Sequence, residues 1–359
     1  MESFKVFIDH FTTPYLIFTL AAIGLLLYLH FARFFSRRSV GFAMLGALVA
    51  FFIFSSLDTN FRKIVSTPDN VPIVGTIFLV GFFTWFALKK GVENDMRTEK
   101  GEPTFEKTET DEKVFVMPNL VYIEFLATIL LSILLLIWSI ILKAPLEAPA
   151  NPTESPNPSK APWYFLGLQE LLVYFDPWIA GVLLPGLIIM GLFSIPYLDT
   201  NKKGNGYYTL KERKMAITFF LFGFLILWVL LIIYGTFLRG PNWNFFGPYE
   251  FWDVHKIVPL VNVNLSDLIY VKLLGVGLPS NWFLREMWGF LLLGAYFLIP
   301  PAILAKTVFK KLYAEIGPVR YTIFIMLMLA FLALPIKMYL RWTLNLKYIV
   351  ALPEFFFNI

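Results

Sequence analysis

Eight stretches of this chain are apolar over the length needed to cross a membrane, and that pattern leaves few ways to fold. A hydrocarbon core of ~30 Å takes ~20 consecutive apolar residues in a helix. In lipid, the backbone polar groups must be satisfied within the segment itself, which a helix does. The stretches are Pro14–Ala32, Ser39–Leu57, Val71–Leu88, Asn119–Leu142, Trp178–Leu198, Met215–Leu238, Trp288–Ala305 and Tyr321–Leu340. The expected fold class is all-α: a polytopic membrane protein of about eight transmembrane helices. At 58% hydrophobic and 15% charged residues, the composition is far from a soluble balance. The first stretch does not read as a cleaved signal peptide, because no basic leading region or small-residue cleavage site accompanies it.

Charge placement orients the spans. With the amino terminus outside, the inner loops 33–38, 89–118, 199–214 and 306–320 hold 18 Lys and Arg. The outer segments and tails hold 11, counting Lys337 at the outer end of the last span, and Arg285 sits at the mouth of the seventh. The positive-inside rule therefore puts both termini outside. The expected location is a bacterial inner membrane, with both ends on the periplasmic side. Lys337 is expected to snorkel to the interface. A net charge of +5 does not imply nucleic acid here, and the expected surroundings are membrane lipid.

Three parts are expected. Residues 1–117 form three accessory spans and a charged inner linker, whose Lys89–Lys113 stretch reads as a solvated, mobile strap. Residues 118–240 form a three-span unit around a distinctive outer loop. Residues 241–359 form an outer segment and two further spans, with 264–274 expected to lie flat as an interfacial helix.

Several chemistries lack their residues. There is no cysteine, so thiolate metal sites, disulfides and covalent CxxCH haem attachment are excluded. Haem b ligation across a bundle takes paired histidines. His10, His30 and His255 are the only three, and no two share a helix. No GxxxxGK, HExxH or GxSxG sequence is present, which leaves nucleotide hydrolysis, zinc proteolysis and serine hydrolysis without support.

The loop between the fourth and fifth spans carries the chemistry. It reads NPSKAPWYFLGLQELLVYFDP over 157–177: proline-rich, then aromatic, then amphipathic with one carboxylate, Glu170. Trp163, Tyr164 and Phe165 can line a pocket for a flat apolar ring or form an interfacial aromatic belt. If 163–175 is helical, Trp163 and Glu170 share a face. Glu170 is then either an acid–base group of that pocket or a solvated charge on an interfacial helix. Glu124, in the fourth span, reads as a snorkelled or paired group near the inner face.

Residues 118–238 resemble the C-terminal half of cytochrome b, in particular subunit IV of the photosynthetic quinol–plastocyanin reductase. PNLVY at 118–122, Trp163-Tyr164-Phe165, Leu183-Leu184-Pro185 and Ile195-Pro196-Tyr197-Leu198-Asp199 carry the likeness. Where that family has Pro-Glu before Trp-Tyr, this chain has Ala161-Pro162, so the family's proton-accepting glutamate is missing. The resemblance implies a haem-free, split cytochrome b subunit of a quinol:cytochrome c-type oxidoreductase in respiratory electron transfer. Pro162, Trp163, Tyr164 and Phe165 would contact quinol, and Glu170 would replace the missing base. It also implies partners: a haem b-bearing cytochrome b N-terminal-type subunit, a Rieske iron–sulfur protein and a cytochrome c-type acceptor. The lost glutamate suggests a low-potential quinol such as menaquinol. The rival readings are a permease or ion-translocating subunit with an aromatic gate, and a structural anchor of a redox complex.

Overall fold

The structure, a computed structural model, describes residues 2–109, 114–142, 149–200 and 209–359. It is helical and membrane-spanning. Long helices run over Pro14–His30 (α1), Arg38–Ser55 (α2), Asn70–Glu99 (α3), Val116–Ile141 (α4), Ile179–Leu198 (α6), Lys214–Leu238 (α7), Trp282–Lys306 (α8) and Lys310–Leu344 (α9). A short helix, Leu166–Leu171 (α5), lies in the loop after α4. Seven of these helices are long and apolar enough to cross a membrane. Counting α1 together with Lys5–Phe11, which meets it at a 79° bend, gives eight. The chain is an integral membrane protein.

The chain divides into two compact units, Met1–Trp163 with Gly204–Lys256, and Tyr164–Lys203 with Ile257–Ile359. In the first, the Tyr234 hydroxyl of α7 donates to the Pro14 carbonyl at the start of α1, 2.9 Å away. The Trp85 indole of α3 donates to the Phe35 carbonyl at 3.0 Å. Asp58 caps the helix Thr59–Val65, as a short carboxylate before a helix should, and pairs with Lys5 at 2.7 Å. No residue of α4 is buried.

In the second unit α8 and α9 lie side by side. The Tyr296 hydroxyl donates to the Leu329 carbonyl at 2.7 Å and that of Tyr321 to the Pro301 carbonyl at 2.9 Å. Asn281 caps α8 through bonds from the Phe283 and Leu284 amides, so this helix begins earlier than its apolar run. Gly317, at φ +78° and ψ 172°, interrupts α9, and only glycine takes that conformation readily. After α9 the chain forms small strand pairs. Val263–Asn264 (β1) runs parallel to Leu346–Tyr348 (β2), and Ala351–Leu352 (β3) antiparallel to Phe357–Asn358 (β4).

Two local expectations change. The charged linker is not a solvated strap over the part described: α3 continues through it to Glu99, with Val92, Asn94 and Asp95 buried. The buried polar groups are satisfied there. Asn94 donates to the Glu106 carboxylate at 2.8 Å and accepts the Phe105 amide at 2.9 Å, and Asp95 accepts the Lys211 amide at 3.1 Å. Residues 110–113 of the linker lie outside the described residues. The helix expected within 264–274 is present: residues 265–266 are helical and run into a π-helix, Asp267–Leu273, just after β1. Lys337 does not snorkel outward. It is 3% exposed and points to main-chain carbonyls.

Candidate functional site

The loop residues 149–163 belong to the first unit, and two side chains tether them. Asn157 accepts the Asn242 amide at 2.6 Å and donates to the Asn242 side-chain oxygen at 3.0 Å. Asn242 holds φ +57°, a left-handed conformation that asparagine tolerates better than most residues. Its own amide nitrogen reaches the carbonyls of Val254 and Lys256, each at 3.2 Å. Three residues further along the loop, the Lys160 ammonium donates to the Thr236 carbonyl at 2.8 Å and lies 4.7 Å from the Trp252 ring centre. Burial pushes the Lys160 amine down to about 8, and the Asp69 carboxylate draws it weakly the other way. Lys160 lines a cleft of about 460 Å³ with Lys63, Asp69, Asn70, Glu250 and Trp252.

Pro162 and Trp163 complete this unit's share, and both are exposed. The turn Trp163–Phe165 is a single 3₁₀ turn, so the helix expected over 163–175 is instead this turn followed by α5. Tyr164 and Phe165 open the second unit's share of the segment. They are about half exposed, and their rings are 4.7 Å apart. Such exposed rings suit contact with an apolar surface or ring system.

Glu170 is placed differently from its aromatic neighbours. Its side chain is fully buried, which the solvated-charge reading does not allow. A buried carboxylate is costly unless hydrogen-bonded or paired. Tyr174, also fully buried, donates its hydroxyl to a Glu170 oxygen at 3.3 Å. One helical turn separates the two residues, so α5 and the turn after it bring them together.

Sequence reasoning missed the cations around this pair. The Lys337 ammonium donates to the Tyr174 carbonyl at 3.0 Å and also to the carbonyl of Lys347. Lys347 donates to the Leu172 carbonyl at 3.2 Å. Burial, then repulsion from Arg341, holds the Lys347 amine below the usual lysine range. Arg341, one turn beyond Lys337 and also buried, donates to the Asn345 carbonyl at 2.9 Å. A lysine inside an apolar span is a functional candidate by default, and that was the available signal.

Glu124 lies in the first turn of the helix Val121–Ile141 and is exposed. His10, His30 and His255 are all exposed and lie on separate segments. This is not the facing pair that bis-histidine haem needs. Among the described residues no cluster of three His, Cys, Asp or Glu could hold a metal ion.

No curated protein and no solved structure matches this chain. A family model described as cytochrome b(C-terminal)/b6/petD matches residues 149–250. The match takes in the Asn157 tether, the aromatic turn, Glu170, α6 and α7. It leaves Pro118–Tyr122, Lys337 and Lys347 outside. The resemblance read from the loop and the spans after it is therefore matched over this stretch, residues 149–250, and not over the rest of the chain.

Proposed function

We propose that this chain is the haem-free, subunit IV-like subunit of a quinol:cytochrome c-type oxidoreductase. In this reading it supplies part of the quinol-oxidation pocket on the outer, periplasmic side. One observation carries the reading: a fully buried carboxylate, Glu170, lies seven residues after Trp163 inside the family-matched segment. A carboxylate withdrawn from water near a substrate surface is the kind of group that serves as general acid or base.

Oxidation of a quinol to a quinone releases two electrons and two protons. Partner subunits would take the electrons: a Rieske-type iron–sulfur protein with a cytochrome c-type acceptor would supply one path, and haem b on a cytochrome b N-terminal-type subunit the other. This chain's residues handle position and a proton. Tyr164 and Phe165, with Pro162 and Trp163 preceding them, contact the quinol ring. Glu170 accepts a proton from a quinol hydroxyl and passes it toward the outer aqueous phase. Pro162 stands where the resembled family carries its glutamate, and its side chain cannot take a proton. Loss of that base fits a low-potential quinol such as menaquinol.

The test has two arms. A tagged chain purified from its native membrane is expected to bring down a haem b spectrum, whereas a colourless complex favours the permease or anchor reading. In those membranes Glu170→Gln is expected to slow quinol-dependent reduction of the acceptor by about tenfold or more, with haem content unchanged. Glu154→Gln, at an exposed position of the same loop, is expected to match wild type. Equal rates in both variants would remove Glu170 from the reaction.

A further inference from the structure

The carboxy-terminal part of the chain lies beyond the family-matched residues, yet it holds the segment that carries Glu170. Four contacts do this, all within the second unit. Lys337 takes the Tyr174 carbonyl at 3.0 Å, and Lys347 takes the Leu172 carbonyl at 3.2 Å. The Trp342 ring meets the Tyr174 ring edge-on at 5.6 Å. The Asn358 amide donates to the Asp176 carboxylate at 3.2 Å. α5 spans only Leu166–Leu171, too short to hold its shape alone. The turn that follows, through Tyr174, is held by two ammonium groups that reach its Leu172 and Tyr174 carbonyls.

A purely architectural stitch does not require this chemistry. Lys337 sits in a long apolar helix, 3% exposed, and burying an ammonium there is expensive. An apolar side chain would join the same elements more cheaply. The ammonium does what an apolar group cannot: it fixes the Tyr174 carbonyl, and so the ring whose hydroxyl meets Glu170.

We propose that Lys337 and Lys347 are positioning residues for the Glu170–Tyr174 pair, so that the carboxy-terminal part is a clamp on the proton-handling segment. This rests on the proposed role of Glu170 in quinol oxidation. The clamp lowers the freedom of residues 166–175 and keeps the carboxylate in its reacting geometry. Misplacement of a reacting group by about 1 Å can cost up to about a hundredfold in rate.

The experiment uses the intact complex from native membranes. Lys337→Met keeps the length of the side chain and removes the donor. It is expected to lower kcat for quinol oxidation about tenfold, with KM for quinol and haem content unchanged. Adding Glu170→Gln should cost little more, because residues that act as a unit lose their effect together. Hydrogen exchange of 166–175 should quicken in Lys337→Met. Lys347→Met should fall the same way by a smaller factor, and Lys347→Arg should restore the rate. If Lys337→Met does not assemble, the two variants at the partly buried Lys347 decide the matter.

Wild-type kcat in the Lys→Met variants, or losses that multiply with that of Glu170→Gln, overturns the positioning role while Glu170 keeps its own. Wild-type turnover in Glu170→Gln overturns the role of Glu170 and the positioning of it. Quickened exchange in Lys337→Met would then show a clamp with no part in the chemistry.

Discussion

The Tyr174 hydroxyl and the Glu170 carboxylate lie 3.3 Å apart, four residues from each other in sequence, and both side chains are fully buried. Tyr174→Phe deletes the donor and leaves the ring in place. Loss of one buried hydrogen bond costs about 0.5–1.5 kcal/mol. We expect a loss of stability in that range by thermal unfolding of the detergent-solubilised complex. Quinol oxidation should slow by less than in Glu170→Gln, since the carboxylate is still present. A Tyr174→Phe rate below that of Glu170→Gln would mean that the phenol, and not the carboxylate, handles the proton.

Gly289 and Gly294 lie on the same helix, α8, and should respond in opposite ways to a methyl group. A Cβ at Gly289 would run into the Ile349 carbonyl and the Val350 side chain, whereas at Gly294 nothing lies within 4 Å. Gly289→Ala forces the bend between β2 and β3 off the helix, an overpacking defect of about 1–3 kcal/mol. Gly294→Ala is expected to be neutral or to stabilise by up to about 1 kcal/mol, from helix propensity alone. Unfolding midpoints of the two variants measure the difference. Equal midpoints would show that α8 and the bend between β2 and β3 do not meet.

The spans were legible because ~20 apolar residues in a row have one use in a membrane. The loop was legible through Trp163, Tyr164 and Phe165, which stand out beside a proline run. What was not legible depended on partners distant in sequence. Lys337 binds a carbonyl 163 residues away, and main-chain carbonyls leave no mark in a sequence. The read from Lys89 onward failed because Asn94 is buried against Glu106 and Phe105, which a count of polar residues cannot reveal. The conditional helix over 163–175 is shortened for a local reason. Trp163–Phe165 tightens to a 3₁₀ turn after Pro162, and α5 ends at Leu171.

The Asn157–Asn242 pair makes the loop's attachment separable into backbone and side-chain parts. Asn242→Gly keeps the positive φ and removes the side-chain bonds to Asn157, Val254 and Lys256. Asn242→Ala removes those bonds and adds about 1–2 kcal/mol of left-handed strain. Limited proteolysis across 151–160 should therefore rise in the order wild type, Asn242→Gly, Asn242→Ala. Protection in Asn242→Ala equal to wild type would show that the tether does not hold the loop.

Lys160 supplies a pH signature in the same region. Its amine is pushed by burial to about 8 in the folded protein, against 10.5 for the free group. Between those values the unfolded chain binds more protons, so this group makes stability rise as pH increases from about 8 to about 10.5. Below about 8 both states are protonated and its contribution is flat at its least favourable level. The expected titration, read from the pH dependence of acylation of Lys160 quantified by peptide mass spectrometry, has its midpoint near 8. Lys160→Met removes the ionisable group, and the rise in unfolding midpoint between pH 8 and pH 10 should shrink. A Lys160 midpoint near 10.5 would place the side chain in open water and detach it from Thr236 and Trp252.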